Sequence, residues 1–303
     1  MKSQGRGGRG NAVVLGGPAG SNLDGGIARE LGAELVRVHL RNFPDGECLV
    51  KIPQSIRGRD AVIVQSTYFP QDTHIMQLLF LADTASRMGA RSITAVVPYL
   101  AYMRQNKSFA DGEAASISAL LKVLYASGVD SLLTVEPHRS DALFAFKGSK
   151  LILNPIDRLM DPVSKNIRRP FVLAPDKGSL ERARVAATVL NCDYTYIDKE
   201  RNPVTGEVSM RDAASGNFED KEIVVVDDMI STGGTIALAS RFAYSHGAAD
   251  VSVAAVHLLM CNSAYNRIRH AGVSRIYGTN TIPYENAVMV DLSKEISELL
   301  EWR

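Results

Sequence analysis

The chain has 303 residues, enough for two domains of ordinary size that each bury a core of their own. With 46% hydrophobic residues, 22% charged residues and a formal net charge of +1, it resembles a soluble globular protein, and neither nucleic acid nor a membrane is an expected partner. Its three cysteines are far apart and form no Cys-x-x-Cys pair, so we expect a reducing cytoplasmic location and neither a disulfide framework nor a cysteine metal cluster.

Residues 1–10 are rich in glycine and arginine and lack the apolar core of a signal peptide, so they predict a flexible tail. After them, short apolar runs rich in β-branched residues alternate with helical patterns, which predicts parallel βαβ units. The predicted strands are Ala12–Leu15, Ala61–Gln65, Ser92–Val97, Ser131–Val135, Phe171–Ala174, Ile223–Asp227 and Val251–Val256. The predicted helices include Thr73–Met88, Ala114–Ala126, Leu180–Leu190 and Thr235–His246.

The order strand, loop, helix, Gly-Ala, strand occurs twice, at residues 61–100 and 222–260. This repeat predicts two similar α/β domains in tandem, although ordinary βαβ similarity within one large domain is the alternative. We place the domains at 11–155 and 156–303, with a boundary near Lys150–Arg169 and with the last helix free to pack on the first domain.

The strongest motif lies at Val224–Thr235, where an apolar strand leads into Asp227 and Asp228, then a small polar loop, then a helix. A helix N-terminus offers unpaired N–H groups to a phosphate, glycines allow close approach, and two carboxylates can accept from vicinal sugar hydroxyls. A plain capped strand–turn–helix is the alternative, and the loop is not a Walker A loop. The predicted phosphate-binding residues are Ser231, Thr232, Gly233, Gly234 and Thr235.

This segment resembles the loop that binds phosphoribosyl pyrophosphate (PRPP) in the phosphoribosyltransferase fold, which type I phosphoribosyltransferases and PRPP synthetases share. The resemblance implies two tandem phosphoribosyltransferase-like domains, each a mainly parallel sheet flanked by helices. It also implies that Asp227 and Asp228 lie near the ribose hydroxyls of ribose 5-phosphate, with the 5-phosphate held by Ser231–Thr235.

Other segments resemble the ribose-phosphate pyrophosphokinase family in particular. The run Phe43-Pro-Asp45-Gly-Glu47 is similar to the family's Phe-x-Asp-Gly-Glu segment. This implies that the Phe43 ring stacks on the adenine of ATP and that Asp45 and Glu47 bond the base, often across a subunit interface. Taken alone, Pro-Asp-Gly is also good chemistry for a surface turn.

Arg104 and Gln105 end a stretch that is similar to the family's Pro-Tyr-x-x-Tyr-x-Arg-Gln, which implies a role at ATP and its phosphates; a solvated arginine is the alternative. His138 ends a Thr-Val-Glu-Pro-His segment similar to the family's Thr-Val-Asp-x-His, which implies a ligand of ATP-bound Mg²⁺; a structural histidine is the alternative. Two departures from the family pattern are Asn106 in place of Asp and Glu136 in place of Asp.

Asp176 lies in a Pro-Asp-x-Gly loop that resembles the family's pyrophosphate loop, which implies a second metal ligand, with Mg²⁺ as the expected cofactor. Lys199 and Arg201 lie in a polar stretch similar to the family's flexible catalytic loop. The resemblance implies that they neutralise charge on the transferred group, whereas a solvated face is the alternative.

Six segments in family order predict an enzyme that transfers the β,γ-pyrophosphoryl group of MgATP to the C1 hydroxyl of ribose 5-phosphate, giving PRPP and AMP for nucleotide biosynthesis. The resemblance also implies a homodimer or higher homo-oligomer with the ATP site near a subunit interface. A type I phosphoribosyltransferase, a non-catalytic regulatory homologue and a generic nucleotide-binding α/β protein are the alternatives.

Overall fold

The computed structural model describes residues 11–20, 22–108, 110–201, 208–211 and 218–300; for 199–201 and 208–211 it describes the backbone alone. The predicted tail at 1–10 lies outside the described residues. The chain divides into two compact units. The first unit runs to Leu153 and also includes Asn280–Ile282 and the segment from Asp291 onwards; the second comprises Asn154–Thr279 and Pro283–Val290.

Strands and helices alternate along both halves of the chain. The first half contains β1 (Ala12–Gly16), α1 (Leu23–Leu31), β2 (Glu34–Arg37), β3 (His39–Asn42), β4 (Cys48–Lys51), β5 (Asp60–Val64), α2 (Gln71–Arg87), β6 (Ser92–Val97), α3 (Ser116–Ala126), β7 (Ser131–Val135) and β8 (Ser149–Leu153). The second half contains α4 (Ile156–Ser164), β9 (Pro170–Ala174), α5 (Leu180–Leu190), β10 (Tyr194–Tyr196), β11 (Asp198–Arg201), β12 (Val208–Arg211), β13 (Glu222–Ile230), α6 (Gly234–Ser245), β14 (Asp250–Leu258), α7 (Ala264–His270), β15 (Val273–Thr279), β16 (Val288–Val290) and α8 (Ser293–Leu300).

The first unit is built on a parallel six-stranded sheet in the order β2-β1-β5-β6-β7-β8. Its central strands are buried on both faces, which explains why their sequences are continuously apolar. On one face Ile63 and Ala95 pack with Leu78 of α2 and Leu121 of α3 in a single buried cluster. Burial of each large aliphatic side chain of this kind contributes about 1.5–3 kcal/mol.

The second unit repeats this plan with the order β10-β9-β13-β14-β15-β16. When the strands of each main sheet are counted from their own start, both orders read second, first, third, fourth, fifth, sixth. In both units a two-stranded antiparallel ribbon follows the second strand, β3–β4 in the first and β11–β12 in the second. The predicted fold of two tandem parallel-sheet α/β domains flanked by helices is confirmed.

The predicted end of β13 is wrong, because the strand does not end at Asp227 but continues to Ile230. Asp227 pairs with Ala255 of β14, and the parallel register runs on to Ile230 opposite Leu258. The strand tolerates the two acids because each carboxylate accepts a main-chain N–H: that of Asp228 donates to Asp227 Oδ1 (2.9 Å) and that of Met229 to Asp228 Oδ1 (2.8 Å).

Helix α8 belongs to the first unit and packs on α1. At the contact point a Cβ on Gly26 would collide with the Oγ of Ser293, so the two helices approach closely because position 26 has no side chain. The helix start is held by Asp291, whose Oδ1 accepts from the main-chain N–H (2.9 Å) and hydroxyl (2.6 Å) of Ser293. None of the helices among the described residues is long and apolar enough to cross a membrane.

Candidate active site

The loop between β13 and α6 has the geometry of an anion-binding site in the second unit. The chain bends at Ser231–Gly233, and α6 begins at Gly234. Gly233 has φ 74°, a conformation that favours glycine, and a Cβ there would lie 2.9 Å from Cγ2 of Ile268. The first intrahelical bond runs from Ala237 N to Gly233 O (2.9 Å), so the N–H groups of the first turn have no intrahelical acceptor.

Asp227 and Asp228 lie just before this loop and occupy different environments. Asp228 is buried, whereas Asp227 is partly exposed and accepts a hydrogen bond of 2.6 Å from the hydroxyl of Ser179. Burial and the neighbouring charges of Asp228 and Asp176 raise the pKa of Asp227 to about 7, although the Ser179 bond opposes the shift. Burial and these two neighbouring carboxylates both disfavour the charged form of Asp227, which a bound cation would stabilise.

Asp176 follows β9, the strand beside β13, and accepts the main-chain N–H of Gly178 (3.0 Å). This bond starts a tight turn in which Lys177 and Gly178 are exposed to solvent. Because the carboxyl ends of neighbouring parallel strands share one edge of the sheet, the structure brings Asp176, Asp227 and the phosphate loop together.

The backbone of Lys199 and Arg201 lies in β11, which pairs with β12 in the antiparallel register Lys199–Met210 and Arg201–Val208. Their side chains lie outside the described residues, as do residues 202–207 of the predicted catalytic loop. The role predicted for both side chains therefore stays a prediction.

In the first unit, Phe43, Asp45 and Glu47 form the tip of the β3–β4 ribbon. Phe43 N donates to Glu47 O (2.8 Å) and Glu47 N donates to Asp45 Oδ1 (3.1 Å), so the tip is a closed turn. The Phe43 ring is half-buried, with the Arg41 guanidinium 4.9 Å from its centroid on one face. Both acids are exposed, which makes them available to a ligand.

Arg104 and Gln105 lie in the loop after β6, and both are exposed. Gln105 Oε1 accepts from the hydroxyl of Ser116 (2.6 Å), and its main-chain N–H donates to Tyr102 O (2.8 Å). The hydroxyl of Tyr102 in turn donates to Asp72 on α2. The loop is therefore fixed to both neighbouring helices.

His138 is exposed and follows β7, which pairs with β6. Two residues earlier Glu136 is buried, has φ 38°, and donates its main-chain N–H to Leu153 O (2.8 Å). His138 and Arg104 thus follow neighbouring strands of one sheet, whereas Phe43 lies on a separate ribbon.

Comparison with known proteins decides which family these features belong to. The family model for the N-terminal domain of ribose phosphate pyrophosphokinase matches residues 12–128, and that for the phosphoribosyl transferase domain matches residues 146–278. The ribose-phosphate pyrophosphokinase of Saccharolobus solfataricus is 43% identical over 94% of this chain and 99% of that protein. The chain belongs to the ribose-phosphate pyrophosphokinase family.

Two further relatives agree with this assignment. The ribose-phosphate pyrophosphokinase of Sulfolobus acidocaldarius is 42% identical over 94% of this chain and 99% of that protein. The crystal structure of phosphoribosylpyrophosphate synthetase from Mycobacterium smegmatis superposes with a TM-score of 0.85 at 27% identity, covering 95% of this chain and 97% of the other. The resemblance to ribose-phosphate pyrophosphokinases that the sequence predicted is confirmed.

The residues on the second unit's sheet edge fit the magnesium ion on which this pyrophosphokinase family generally depends. Mg²⁺ takes one or two carboxylates and completes its shell with water and phosphate oxygens. The carboxylates of Asp176 and Asp227 supply hard oxygen donors, and a cation would offset the burial and the neighbouring carboxylates that together raise the pKa of Asp227.

Ser179 is a candidate site residue that the sequence analysis missed. Its hydroxyl is buried and bonds Asp227 although 48 positions separate the two residues. The signal was the hydroxyl residue that directly follows the Pro-Asp-x-Gly loop. Its importance depends on β9 lying beside β13, which the order of residues along the chain does not reveal.

Proposed function

We propose that this chain transfers the β,γ-pyrophosphoryl group of MgATP to ribose 5-phosphate. The C1 oxygen of ribose 5-phosphate forms a bond to the β-phosphorus while the bond from that phosphorus to the α,β-bridging oxygen breaks. The products are PRPP and AMP, and the hydroxyl proton is released. The observation that carries the proposal is the phosphate loop and its paired carboxylates in a chain of this family.

Ribose 5-phosphate is the ligand proposed for the second unit. The N–H groups at the start of α6 and the hydroxyls of Ser231, Thr232 and Thr235 hold the 5-phosphate, and Gly233 and Gly234 leave room for it. This assignment is supported by the exposure of Thr232, Gly234 and Thr235.

Of the two acids of β13, Asp227 is the one proposed to hold the sugar. Asp227 is exposed enough to accept from a ribose hydroxyl, while Asp228 is buried and orients the strand end through its bond from Met229 N. Asp227 is also the nearest candidate for a group that accepts a proton, because its pKa near 7 lets it exist in both forms at neutral pH.

ATP is the ligand proposed for the first unit. Phe43 stacks on the adenine through the ring face that Arg41 does not cover, and the exposed carboxylates of Asp45 and Glu47 bond the base. Arg104 and Gln105 contact ATP and its phosphates, a task that suits a guanidinium because it stays charged and binds phosphate oxygens in pairs.

Magnesium is the proposed cofactor: in the first unit His138 is the proposed ligand of ATP-bound magnesium, and in the second unit Asp176 of the pyrophosphate loop is a proposed magnesium ligand. When bound, the ion neutralises negative charge on the phosphate oxygens. Histidine is an uncommon ligand for Mg²⁺, so Asp176 is the stronger assignment.

Lys199 and Arg201 are the proposed catalytic residues, because positioned positive charge is the main requirement for transferring a phosphoryl-type group. We predict that Lys199→Ala lowers kcat strongly and leaves KM for both substrates nearly unchanged, since its contact forms mainly in the transition state. Steady-state kinetics with each substrate varied in turn measures this. A change in KM alone would identify Lys199 as an ordinary binding residue.

Product analysis tests the proposed reaction itself. The purified protein is incubated with ATP, Mg²⁺ and ribose 5-phosphate, and the nucleotides are separated by ion-exchange chromatography. AMP that forms in equal amounts with PRPP supports the proposal. ADP in place of AMP would indicate a sugar kinase, and PRPP binding without turnover would indicate a phosphoribosyltransferase or a regulatory homologue.

We also propose that the enzyme is a cytoplasmic homodimer or larger homo-oligomer with the Phe43 loop near a subunit interface. The exposed acids at the tip of the β3–β4 ribbon support this, because they are free of the sheet of their own unit. Light scattering measures the oligomeric state, and a monomer that turns over at full rate would contradict it.

A further inference from the structure

The phosphate loop is supported from one side by the segment that follows β14. Met260 N donates to Ile230 O (3.0 Å) and Cys261 N donates to Ser231 O (2.9 Å). Gly233 rests on α7, because a Cβ at this position would lie 3.2 Å from Ala264 O and 2.9 Å from Ile268 Cγ2. These contacts hold the loop just before and just after Thr232.

Arg267 supplies the contact at Thr232 itself. Its Nη1 donates to the carbonyl oxygen of Thr232, across 35 positions of sequence. Arg269, two residues further along α7, points its Nη1 elsewhere and bonds Val273 O and Ser274 O, each at 2.6 Å. The two arginines of this short helix thus contact different parts of the chain. Among the described contacts of the two, only that of Arg267 reaches the phosphate loop.

The C-terminal end of α7 is held to α6 by two hydrogen bonds, which fix the helix that carries Arg267. Ser240 Oγ of α6 donates to Ala271 O (2.7 Å), and the hydroxyl of Tyr244 donates to Gly272 O (2.9 Å). Since α6 also begins at the phosphate loop, the loop, α6 and α7 form a closed set of contacts.

The segment before α7 has a backbone conformation that its residues do not favour by themselves. Met260, Asn262 and Ser263 have φ values of 51°, 49° and 59°, a region that non-glycine residues seldom adopt. Such conformations persist where surrounding contacts determine them, and they concentrate at ligand sites. The main-chain bonds of Met260 and Cys261 to the residues on either side of the β13 end are those contacts.

The Arg267 contact fixes the direction of one peptide group. In a trans peptide the carbonyl and the following N–H point in opposite directions. Because the Thr232 carbonyl points to Arg267 on α7, the N–H of Gly233 points away from α7. The Thr232 carbonyl oxygen, which would repel a phosphate, therefore faces the Arg267 guanidinium. The Gly233 N–H, which can bind a phosphate, is presented on the opposite side, beside the first N–H groups of α6.

We propose that Arg267 is a positioning residue for ribose 5-phosphate, which orients the Thr232–Gly233 peptide so that its N–H can bind the 5-phosphate. The inference rests on the proposed function of the loop. It assigns Arg267 no contact with the substrate: the residue acts through the loop.

The test compares Arg267→Met with the control Arg269→Met, which removes the same charge from the same helix together with two carbonyl bonds that do not involve the phosphate loop. For Arg267→Met we expect KM for ribose 5-phosphate to rise about tenfold, since one charge-assisted hydrogen bond governs the geometry of the site. KM for ATP stays within about twofold, because the ATP residues lie on other elements. Arg269→Met changes neither value, and Arg267→Lys gives an intermediate KM for ribose 5-phosphate.

Thr235→Val in the loop separates failure of this inference from failure of the proposed function. If it raises KM for ribose 5-phosphate and Arg267→Met does not, Arg267 has no positioning role although the loop assignment stands. If neither variant changes that KM, the loop assignment itself fails. If both arginine variants had a lower Tm and a higher KM for both substrates, the two arginines would only stabilise the fold in general. That result would overturn the inference. Should Arg267→Met not fold, an unchanged KM in Arg267→Lys would overturn it as well.

Discussion

At the scale of single residues, the candidate site places charge where burial opposes it. Asp227 is the clearest case, since burial and the neighbouring carboxylates of Asp228 and Asp176 disfavour its charge, and hydrogen bonds from the Ser179 hydroxyl and the Asp228 N–H compensate in part. A buried carboxylate of this kind lowers the stability of the ligand-free protein. The same carboxylate is available to a cation and to a sugar hydroxyl when these ligands bind.

Asp227→Asn should stabilise the ligand-free protein while removing activity. The pKa of Asp227 lies near 7, above the ordinary value of about 4, so the wild type loses stability as pH rises from about 4 to about 7. Asparagine carries no charge and keeps an oxygen to accept from Ser179. We expect a Tm above that of the wild type at pH 8 in the presence of a chelator, and no difference near pH 4.

Thermal unfolding at several pH values measures the effect of Asp227→Asn. Asp193→Asn serves as the control, because Asp193 is exposed in the same unit. A Tm at pH 8 below that of the wild type would show that the Asp227 charge is already compensated in the ligand-free protein.

Gly233→Ala should destabilise the second unit, because position 233 combines φ 74° with a Cβ contact at 2.9 Å to Ile268. The left-handed conformation alone costs an alanine about 1–2 kcal/mol. Gly234→Ala is the matched control, since its Cβ would meet nothing closer than the Thr232 hydroxyl at 3.9 Å and alanine favours a helix. Denaturant unfolding of both variants tests this; equal stability would mean that the loop relaxes without cost.

At the scale of elements, α8 shows how a short helix is held by one close approach. It follows a strand of the second unit in the chain but belongs to the first unit, where it packs on α1. Because Gly26 has no side chain, Ser293 of α8 can approach α1 closely at that position. Its first turn is held by Asp291, whose pKa is lowered: burial opposes the charge, but hydrogen bonds from Ser293 and Asn280 outweigh it.

Gly26→Ala should cost stability although alanine is the better helix former. The added Cβ meets the Oγ and Cβ of Ser293, so α8 must shift, whereas at Gly25 the nearest atom is Leu35 Cδ2 at 4.0 Å. Gly25→Ala should therefore raise stability by up to about 1 kcal/mol. Thermal unfolding of the pair measures the difference in Tm. If both variants gain stability, the α1–α8 contact is too loose to matter.

At the scale of the whole molecule, the two units have the same strand order but different loops at equivalent places. After the third strand of the second sheet comes the glycine-containing phosphate loop. After the third strand of the first sheet come Gln65, Ser66 and Thr67, whose side chains are fully buried. Gln65 Oε1 accepts from Ala19 N (2.9 Å), so polar side chains fill this loop and bond the loops beside it.

Thr67→Val should weaken the binding of ATP and leave the binding of ribose 5-phosphate unchanged. The Thr67 hydroxyl accepts from Ala101 N (2.8 Å) and donates to Tyr99 O (2.9 Å), which holds the stretch that leads to Arg104. Losing a buried pair of this kind costs about 1–3 kcal/mol. We expect KM for ATP to rise several-fold with KM for ribose 5-phosphate unchanged, while the exposed control Thr73→Val changes neither. Steady-state kinetics measures both, and equal changes in the two KM values would contradict a division of labour between the units.

The sequence by itself determined the alternation of strands and helices, the tandem repeat and the chemistry of the loop at Ser231–Thr235. These are local properties, since periodicity, β-branching and glycine act within a few residues of their own position. The predicted end of β13 failed for the same reason: two adjacent acids predict a loop locally, but pairing with β14 continued past them. Pairing between strands distant in sequence outweighed the local preference.

Only the tertiary structure decided which residues meet. Strand order brought Ser179 beside Asp227, the fold of α7 brought Arg267 to Thr232, and α8 came to rest on α1. Each contact joins residues far apart in the chain, and its formation depends on how whole elements bury their apolar faces against one another. No window of the sequence contains that information, because burial is a property of the assembled layers and not of the segment.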